Sequence, residues 1–281
     1  MEHAVTHKEL LTALEWYVDQ GVCDIVQDDV IDRTITAELP PMPFVASPSL
    51  VSATQTVARG MDAAPAFLGA SDAYDEAVKS AKSASTLEEL REAISAFDGI
   101  AIKKTATNMV FADGNSEADV MFVGEAPGAD GDRLGKPFSG LNGRLLNKII
   151  ECIGLSREDE DPKKAVYLSN VLNWRPPGNR TPSPAEVEVS LPFIQRHIQL
   201  AKPKILVLLG GISAKALLDE TQSMSRLRKS WHDYVLDKGD AEKLSIPTLV
   251  TYHPAYLLRT PLQKKAVWAD MLMLQDKINN P

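Results

Sequence analysis

The stretch Val120-Met121-Phe122-Val123-Gly124-Glu125-Ala126-Pro127-Gly128 decides the fold. Its apolar run is too short for a helix and ends on glycine, so it reads as a strand buried on both faces. The segment behind it continues through Ala129-Asp130-Gly131-Asp132 to Gly135-Lys136-Pro137-Phe138-Ser139-Gly140 and reads as a loop at a strand's carboxyl end. Outward from here the texture repeats. Apolar segments at Val166 to Leu168, Ile205 to Leu209 and Thr248 to Thr251 alternate with helical patterns at about 140–153, 184–200 and 211–219, and a last helix spans about 262–278. That alternation predicts an α/β fold with a parallel, doubly wound sheet. Ligands of such sheets bind beyond the carboxyl ends of the strands, which directs attention to the residues that follow each one.

The rest of the chain sets limits. At 281 residues, 44% hydrophobic and 24% charged, it is neither disordered, collagen-like nor a coiled coil throughout. No apolar run approaches the roughly 20 residues that cross a bilayer, and the start MEHAVTHKEL lacks the basic and apolar regions of a signal peptide. A cytoplasmic protein with no membrane partner is expected. Cys23 and Cys152 are too few for a disulfide scaffold or a cysteine-ligated metal site.

The net charge of −8 is uneven: residues 1–100 carry 17 acidic and 6 basic side chains, residues 101–281 carry 21 and 24. Positive potential for phosphates is therefore available only in the second part. Residues 5–20 space their apolar positions as one short helix, and 37–70, with four prolines in its first twelve residues, reads as a linker. Helices are expected at about 72–83 and 86–96, the second opened by Ser85 or Thr86. The expected division is an acidic N-terminal extension, 1–85, and a catalytic domain, 86–281.

Each strand end carries candidate chemistry. After the first strand stand the acids Glu125, Asp130 and Asp132 and the aromatic Phe138, in a loop whose glycines let backbone approach a ligand. The second ends at Ser169-Asn170 and runs into Arg175-Pro176-Pro177-Gly178-Asn179-Arg180, a rigid basic segment suited to phosphates. Asn170 offers a donor and an acceptor side by side, for a nucleobase edge or equally for a turn. The third gives Gly210-Gly211-Ile212-Ser213, either an anion site on helix amides or a tight turn. The fourth gives His253-Pro254-Ala255-Tyr256-Leu257-Leu258-Arg259, a histidine where ligand contacts belong. The run Arg226 to His232 is a DNA-facing strip or a solvated strand edge, and the methionines and Trp268 are expected in the core.

The ordered set GEAPG, GKPFSG, SN followed by RPPGNR, LGG and HPAYLLR, over about 98–275, resembles the uracil-DNA glycosylase superfamily, closest to the family 4 type known for an iron–sulfur cluster. The resemblance implies a four-stranded parallel sheet in an α/β/α sandwich, and hydrolysis of the N-glycosidic bond of uracil or other deaminated bases in single- or double-stranded DNA. It implies Phe138 stacking on the flipped base, Asn170 bonding its edge and His253 donating to the pyrimidine O2. Glu125 and Ala126 match family site positions. Leu257 and Leu258 would enter the gap left by the base, with Arg259, Arg175 and Arg180 near phosphates and Gly210, Gly211 and Ser213 holding one on their amides.

Two departures stand out. Where the family reads GxxED this chain has Gly131, which leaves Asp132 as the nearby carboxylate beside Glu125. The four cluster cysteines match Phe97, Ile100, Trp174 and Ser190, so no iron–sulfur cluster, no other metal and no cofactor is expected, with packing in place of the cross-link. The expectation is a monomeric DNA glycosylase of base excision repair. Its rivals are a member of the same fold with altered chemistry, acting on hypoxanthine or xanthine or trapping the sugar, and an inactive DNA-binding module.

Overall fold

A computed structural model describes residues 70–218, 222–236 and 244–280. The expected helix at 5–20 lies outside these residues, as does the expected linker apart from Ala70. In chain order the main elements are α1 (Ala70–Ser83), α2 (Leu87–Ala96), β1 (Ala112–Gly114), β2 (Val120–Gly124), α3 (Ala129–Leu134), α4 (Gly140–Glu151), β3 (Val166–Asn170) and α5 (Pro184–Ala201). They continue as β4 (Ile205–Leu209), α6 (Gly211–Leu218), α7 (Met224–Leu227), β5 (Trp231–Leu236), β6 (Leu244–Thr251), α8 (Pro254–Arg259) and α9 (Lys264–Asn279).

The sheet order is β1-β3-β2-β4-β6-β5. The four inner strands are parallel, and β1 and β5 close the edges antiparallel to β3 and β6. The four-stranded parallel core is as expected, and the two edge strands extend it to six. Neither edge announces itself in the sequence: β1 is only Ala-Asp-Gly, and β5 (WHDYVL) mixes apolar and polar residues as a half-solvated edge does.

Every residue of β2 is buried, which is why its sequence lacks alternation. Val120 and Phe122 point into the layer formed with α4, α8 and α9, and Met121 and Val123 into the opposite layer with α1, α2, α5 and α6. The β2–β3 connection thus covers one face and the β3–β4 connection the other, as a doubly wound sheet requires. Helix α2 starts where Thr86 Oγ1 accepts from Glu89 N–H (3.1 Å) while Glu89 accepts from Ser85 N–H (2.6 Å).

Helix α1 corrects the expected domain boundary. It buries Ala73, Ala77 and Ala81, one small residue per turn, against the layer that contains α5, and Arg196 of α5 donates to Ala84 O from two nitrogens (2.9 and 2.7 Å). The folded unit therefore includes α1 and does not begin at residue 86. An alanine stripe carries little hydrophobic signal, yet it permits close helix approach. Trp268 is a second correction: on α9 it faces outward, 46% exposed, whereas Met121 and Met271 are in the core.

Candidate active site

A cavity of about 570 Å³ lies beyond the carboxyl ends of the parallel strands. It brings together Glu125 and Ala126 after β2, Phe138 from the loop before α4, Asn170 at the end of β3 and His253 after β6. Arg180, Leu258 and Arg259 also line it. Gly124 explains the closeness: a methyl group on its Cα would collide with both the Phe138 ring and Asn170 Oδ1. The aromatic ring and the amide thus meet over a strand end that only glycine leaves flat.

Asn170 is 2% exposed, and its Nδ2 is the one buried side-chain polar atom without a hydrogen bond among the described residues. A buried donor left unpaired costs about 1–3 kcal/mol, so its persistence in a ligand-sized cavity points to a partner that arrives later. Phe138 adds a second strained feature, since its φ of +50° is in the left-handed region, at about 1–2 kcal/mol for a residue with a Cβ. Its ring centroid lies 5.7 Å from that of His253.

His253 caps the N-terminus of α8. Its Nδ1 accepts from Ala255 N–H (3.1 Å), which places the proton of the neutral ring on Nε2. Burial, assisted by the charge of Arg259, draws its pKa down to about 4, so the ring is neutral at physiological pH. Beneath it, Asp270 Oδ2 accepts from Thr251 Oγ1 (2.6 Å) and from Arg228 Nε and Nη2 (2.9 and 2.7 Å). Arg228 also stacks on Tyr252, 4.2 Å from the ring centre. This buried network fixes the Thr251-Tyr252 segment that leads into His253, and within the Arg226–His232 run it makes Arg228 part of the scaffold.

The acids divide sharply. Glu125 is half-buried in the cavity wall, and burial pushes its carboxyl pKa up. Asp130 and Gly131 line the cavity too, but Asp132 does not. Its Oδ1 accepts from Thr107 N–H (2.8 Å) and Asn108 N–H (3.1 Å), and the side chain is buried away from the ligand space. Successive residues of α3 are turned by about 100°, and the step from Gly131 to Asp132 carries the side chain off the cavity side of the helix. Asp132 is therefore no substitute for a side chain at 131.

Other residues expected to contact DNA lie outside the cavity or already have partners within the chain. Arg175 lies outside the cavity, donating to Asn179 Oδ1 (2.7 Å) with its Nη1 3.8 Å from Asp132. Arg180 is paired bidentately with Glu186 (2.6 and 2.8 Å), which holds that carboxyl at about pKa 2. Leu257 is fully buried in the core, so of the leucine pair only Leu258 reaches the cavity. Gly210 spends its N–H on Thr251 O (2.9 Å), Ser213 is buried with its hydroxyl donating to Gly210 O (3.1 Å), and neither lines the cavity, nor does Gly211. Gly210 instead makes room: a Cβ there would press on His253 Cβ at 3.3 Å, and its φ is +102°. Leu141, Asn142 and Tyr256 line the cavity without having been singled out by sequence, and only the helical register after Phe138 and His253 could have indicated them.

Phe97, Ile100, Trp174 and Ser190, the positions matched to cluster cysteines, are all buried on the α5 side of the sheet. Phe97 meets Phe193 edge-on at 5.1 Å, Lys103 Nζ lies 5.7 Å over the Trp174 ring and donates to Phe97 O (3.0 Å), and Ser190 donates to Glu186 O (2.8 Å). None of these groups is a thiolate, and among the described residues no cluster of histidine, cysteine or acid side chains could hold a metal.

Fold and cavity together define an α/β protein with a ligand-sized site at its strand ends. Residues 111–272 match the family model of the uracil DNA glycosylase superfamily, and the chain belongs to that superfamily. Within it the chain is similar to the Type-4 uracil-DNA glycosylase of Pyrobaculum aerophilum, 36% identical over 189 residues, which are 66% of this chain and 92% of that protein. The Type-4 uracil-DNA glycosylase of Archaeoglobus fulgidus is 36% identical over 173 residues (60% and 81%), and the Type-5 enzyme of Pyrobaculum aerophilum 32% over 153 (51% and 64%).

Proposed function

We propose that this chain hydrolyses the N-glycosidic bond of uracil in DNA and leaves an abasic site, the opening step of base excision repair. The observation that carries the reading is the unpartnered, buried Nδ2 of Asn170 in a cavity walled by Phe138 and His253. A base inside the duplex is out of reach, so it must leave the stack at a few kcal/mol. Stacking on Phe138 and bonds from Asn170 to its Watson–Crick edge offset that cost.

As the glycosidic bond breaks, the electron pair passes to the base and negative charge grows on O2 while the sugar becomes cationic. A neutral His253 with its proton on Nε2 is the donor this requires, because it strengthens its bond as the charge develops. Glu125 supplies the opposite charge on the sugar side, stabilising the cation and orienting the water that attacks C1′. Lys136 pairs with Asp113 at 3.2 Å, so it is not placed as an amine nucleophile, in keeping with a simple hydrolase. The residues this mechanism uses all come from one chain, and a monomer is proposed. Among the described residues no helix is long and apolar enough to cross a membrane.

The enzyme works without an iron–sulfur cluster in this reading. Two cysteines in 281 residues cannot provide four thiolates, and the matched positions fill their space with packed rings and a hydrogen-bonded hydroxyl. Elemental analysis of the purified protein should find no stoichiometric iron. A second reading extends the first: Gly131 leaves the cavity without a side chain at that point, which favours acceptance of larger bases such as hypoxanthine. The test is single-turnover cleavage of an end-labelled oligonucleotide with one uracil, developed with alkali, beside its hypoxanthine counterpart. Scission at uracil is expected. Its absence, with the protein folded and bound to DNA, would instead support a non-catalytic module.

A further inference from the structure

Arg157 has no part in the proposed chemistry and does not line the cavity, yet it is 12% exposed and fully engaged. Its Nε donates to Asn147 Oδ1 on α4 (2.9 Å) and its Nη1 to Asp113 Oδ2 on β1 (2.9 Å). The same nitrogen reaches Pro137 O (3.4 Å), and Nη2 donates to Phe138 O (3.2 Å). One guanidinium thus ties two successive carbonyls of the loop that carries the stacking ring.

Phe138 needs such a tie. A phenylalanine in the left-handed region persists only where its surroundings over-determine it. Helix α4 supplies part of that constraint, because a Cβ at Gly143 would overlap Phe138 O, so the glycine lets this carbonyl turn inward. Arg157 then meets that carbonyl from the other side, and Asp113, half of an ion pair with it, fixes the guanidinium. A planar fork can reach a carboxylate, an amide and two carbonyls at once, which a lysine ammonium cannot.

We propose that Arg157 is a positioning residue that sets the Phe138 ring for stacking on the flipped base, with Asp113 of edge strand β1 as its anchor. This rests on the glycosylase reading above. Because Arg157 acts only through Phe138, its loss should slow base capture and leave recognition of base-free DNA intact.

The experiment is a double-mutant cycle of Arg157→Lys and Phe138→Ala. It is read by single-turnover cleavage of the uracil oligonucleotide and by affinity for the same strand carrying a tetrahydrofuran abasic analogue. Arg157→Lys should slow cleavage about 10- to 100-fold, as small misplacements of catalytic groups do. It should bind the abasic analogue as wild type does and cause no further loss in the Phe138→Ala background. Equal fold-losses in both backgrounds, or abasic affinity falling in step with the rate, would show a general structural role and overturn the inference. Should Arg157→Lys melt below the assay temperature, Asp113→Asn, which loosens the guanidinium without deleting it, runs the same cycle with the same outcomes. A wild-type chain that does not cleave at uracil sinks the proposed function and this inference with it, whereas an active wild type with additive losses sinks only the positioning role.

Discussion

His197 and His253 are both held well below the ordinary imidazole range by burial, to about 3 and about 4, and they are used in opposite ways. On the α5 side of the sheet, His197 has no bonding capacity left. Its Nε2 meets Tyr167 Oη at 2.9 Å, its Nδ1 lies 3.5 Å from Ser169 Oγ, and its ring stacks on Phe111 at 4.3 Å. In the cavity wall, His253 commits Nδ1 to Ala255 N–H and keeps Nε2–H free. Two asparagines repeat the contrast three residues apart. Asn173 Nδ2 donates to Val110 O (3.0 Å), while Asn170 Nδ2 has no partner. Burial and a shifted pKa are common to both regions, so neither marks function; incomplete satisfaction of a buried group does.

The sharpest way to break this contrast is to remove each histidine. His253→Ala should lower the single-turnover rate on uracil about 10²- to 10³-fold, as loss of a preorganised donor does, with affinity for undamaged DNA nearly unchanged. Its stability cost should be about 1 kcal/mol, for the lost cap of α8. His197→Ala should do the reverse, destabilising by about 2–4 kcal/mol through a core cavity and an unpaired Tyr167 hydroxyl while sparing the rate of the folded molecules. Urea unfolding and single-turnover cleavage of both variants decide the matter. A His197 variant that is stable and slow would remove the distinction.

The asparagines give a smaller effect with a sharper sign. Asn173→Ala leaves Val110 O unpaired and should cost about 1–3 kcal/mol. Asn170→Ala deletes a donor that was already unpaired, so its stability should be unchanged or slightly raised, while the rate on uracil falls about 100-fold and selectivity weakens. A clear loss of stability in Asn170→Ala would mean that its amide is a structural tie after all.

The same contrast explains what sequence could and could not show. Each apolar run of β2, β3, β4 and β6 is followed at once by its motif, so Phe138, Asn170 and His253 are recognisable as a set, and the cavity brings them together. What spacing does not carry is rotation. Asp132 differs from Gly131, and Leu257 from Leu258, by one helical step, and that step separates the packed side from the cavity. The third strand end misleads for another reason: the amide of Gly210 is consumed by Thr251 O, a partner about forty residues away that no local pattern reveals. Edge strand β1 carries too little hydrophobic signal to be read as a strand, and the helix expected at 72–83 does not reveal by its alanine face that it packs on the folded unit.

Protonation offers the mildest test, because it perturbs both regions without a mutation. A histidine whose folded pKa lies below its unfolded value of about 6.5 binds its proton mainly in the unfolded chain. Its contribution to stability is complete above pH 6.5 and is lost as pH falls towards the folded value, by up to about 1.4 kcal/mol per pH unit for each group. Unfolding free energy should therefore decline from pH 6.5 to 5, and His197→Phe, compared with itself at pH 7, should show a shallower decline. Catalysis should respond differently. His253 is already neutral, so the rate should not rise or fall through the ordinary histidine range. An acid limb should instead follow Glu125, above the usual carboxylate pKa because of burial, and disappear in the residual activity of Glu125→Gln. A rate that drops with an apparent pKa near 6.5 in wild type and not in His253→Ala would mean that His253 titrates in water, and its place among the desolvated groups of the cavity would be lost.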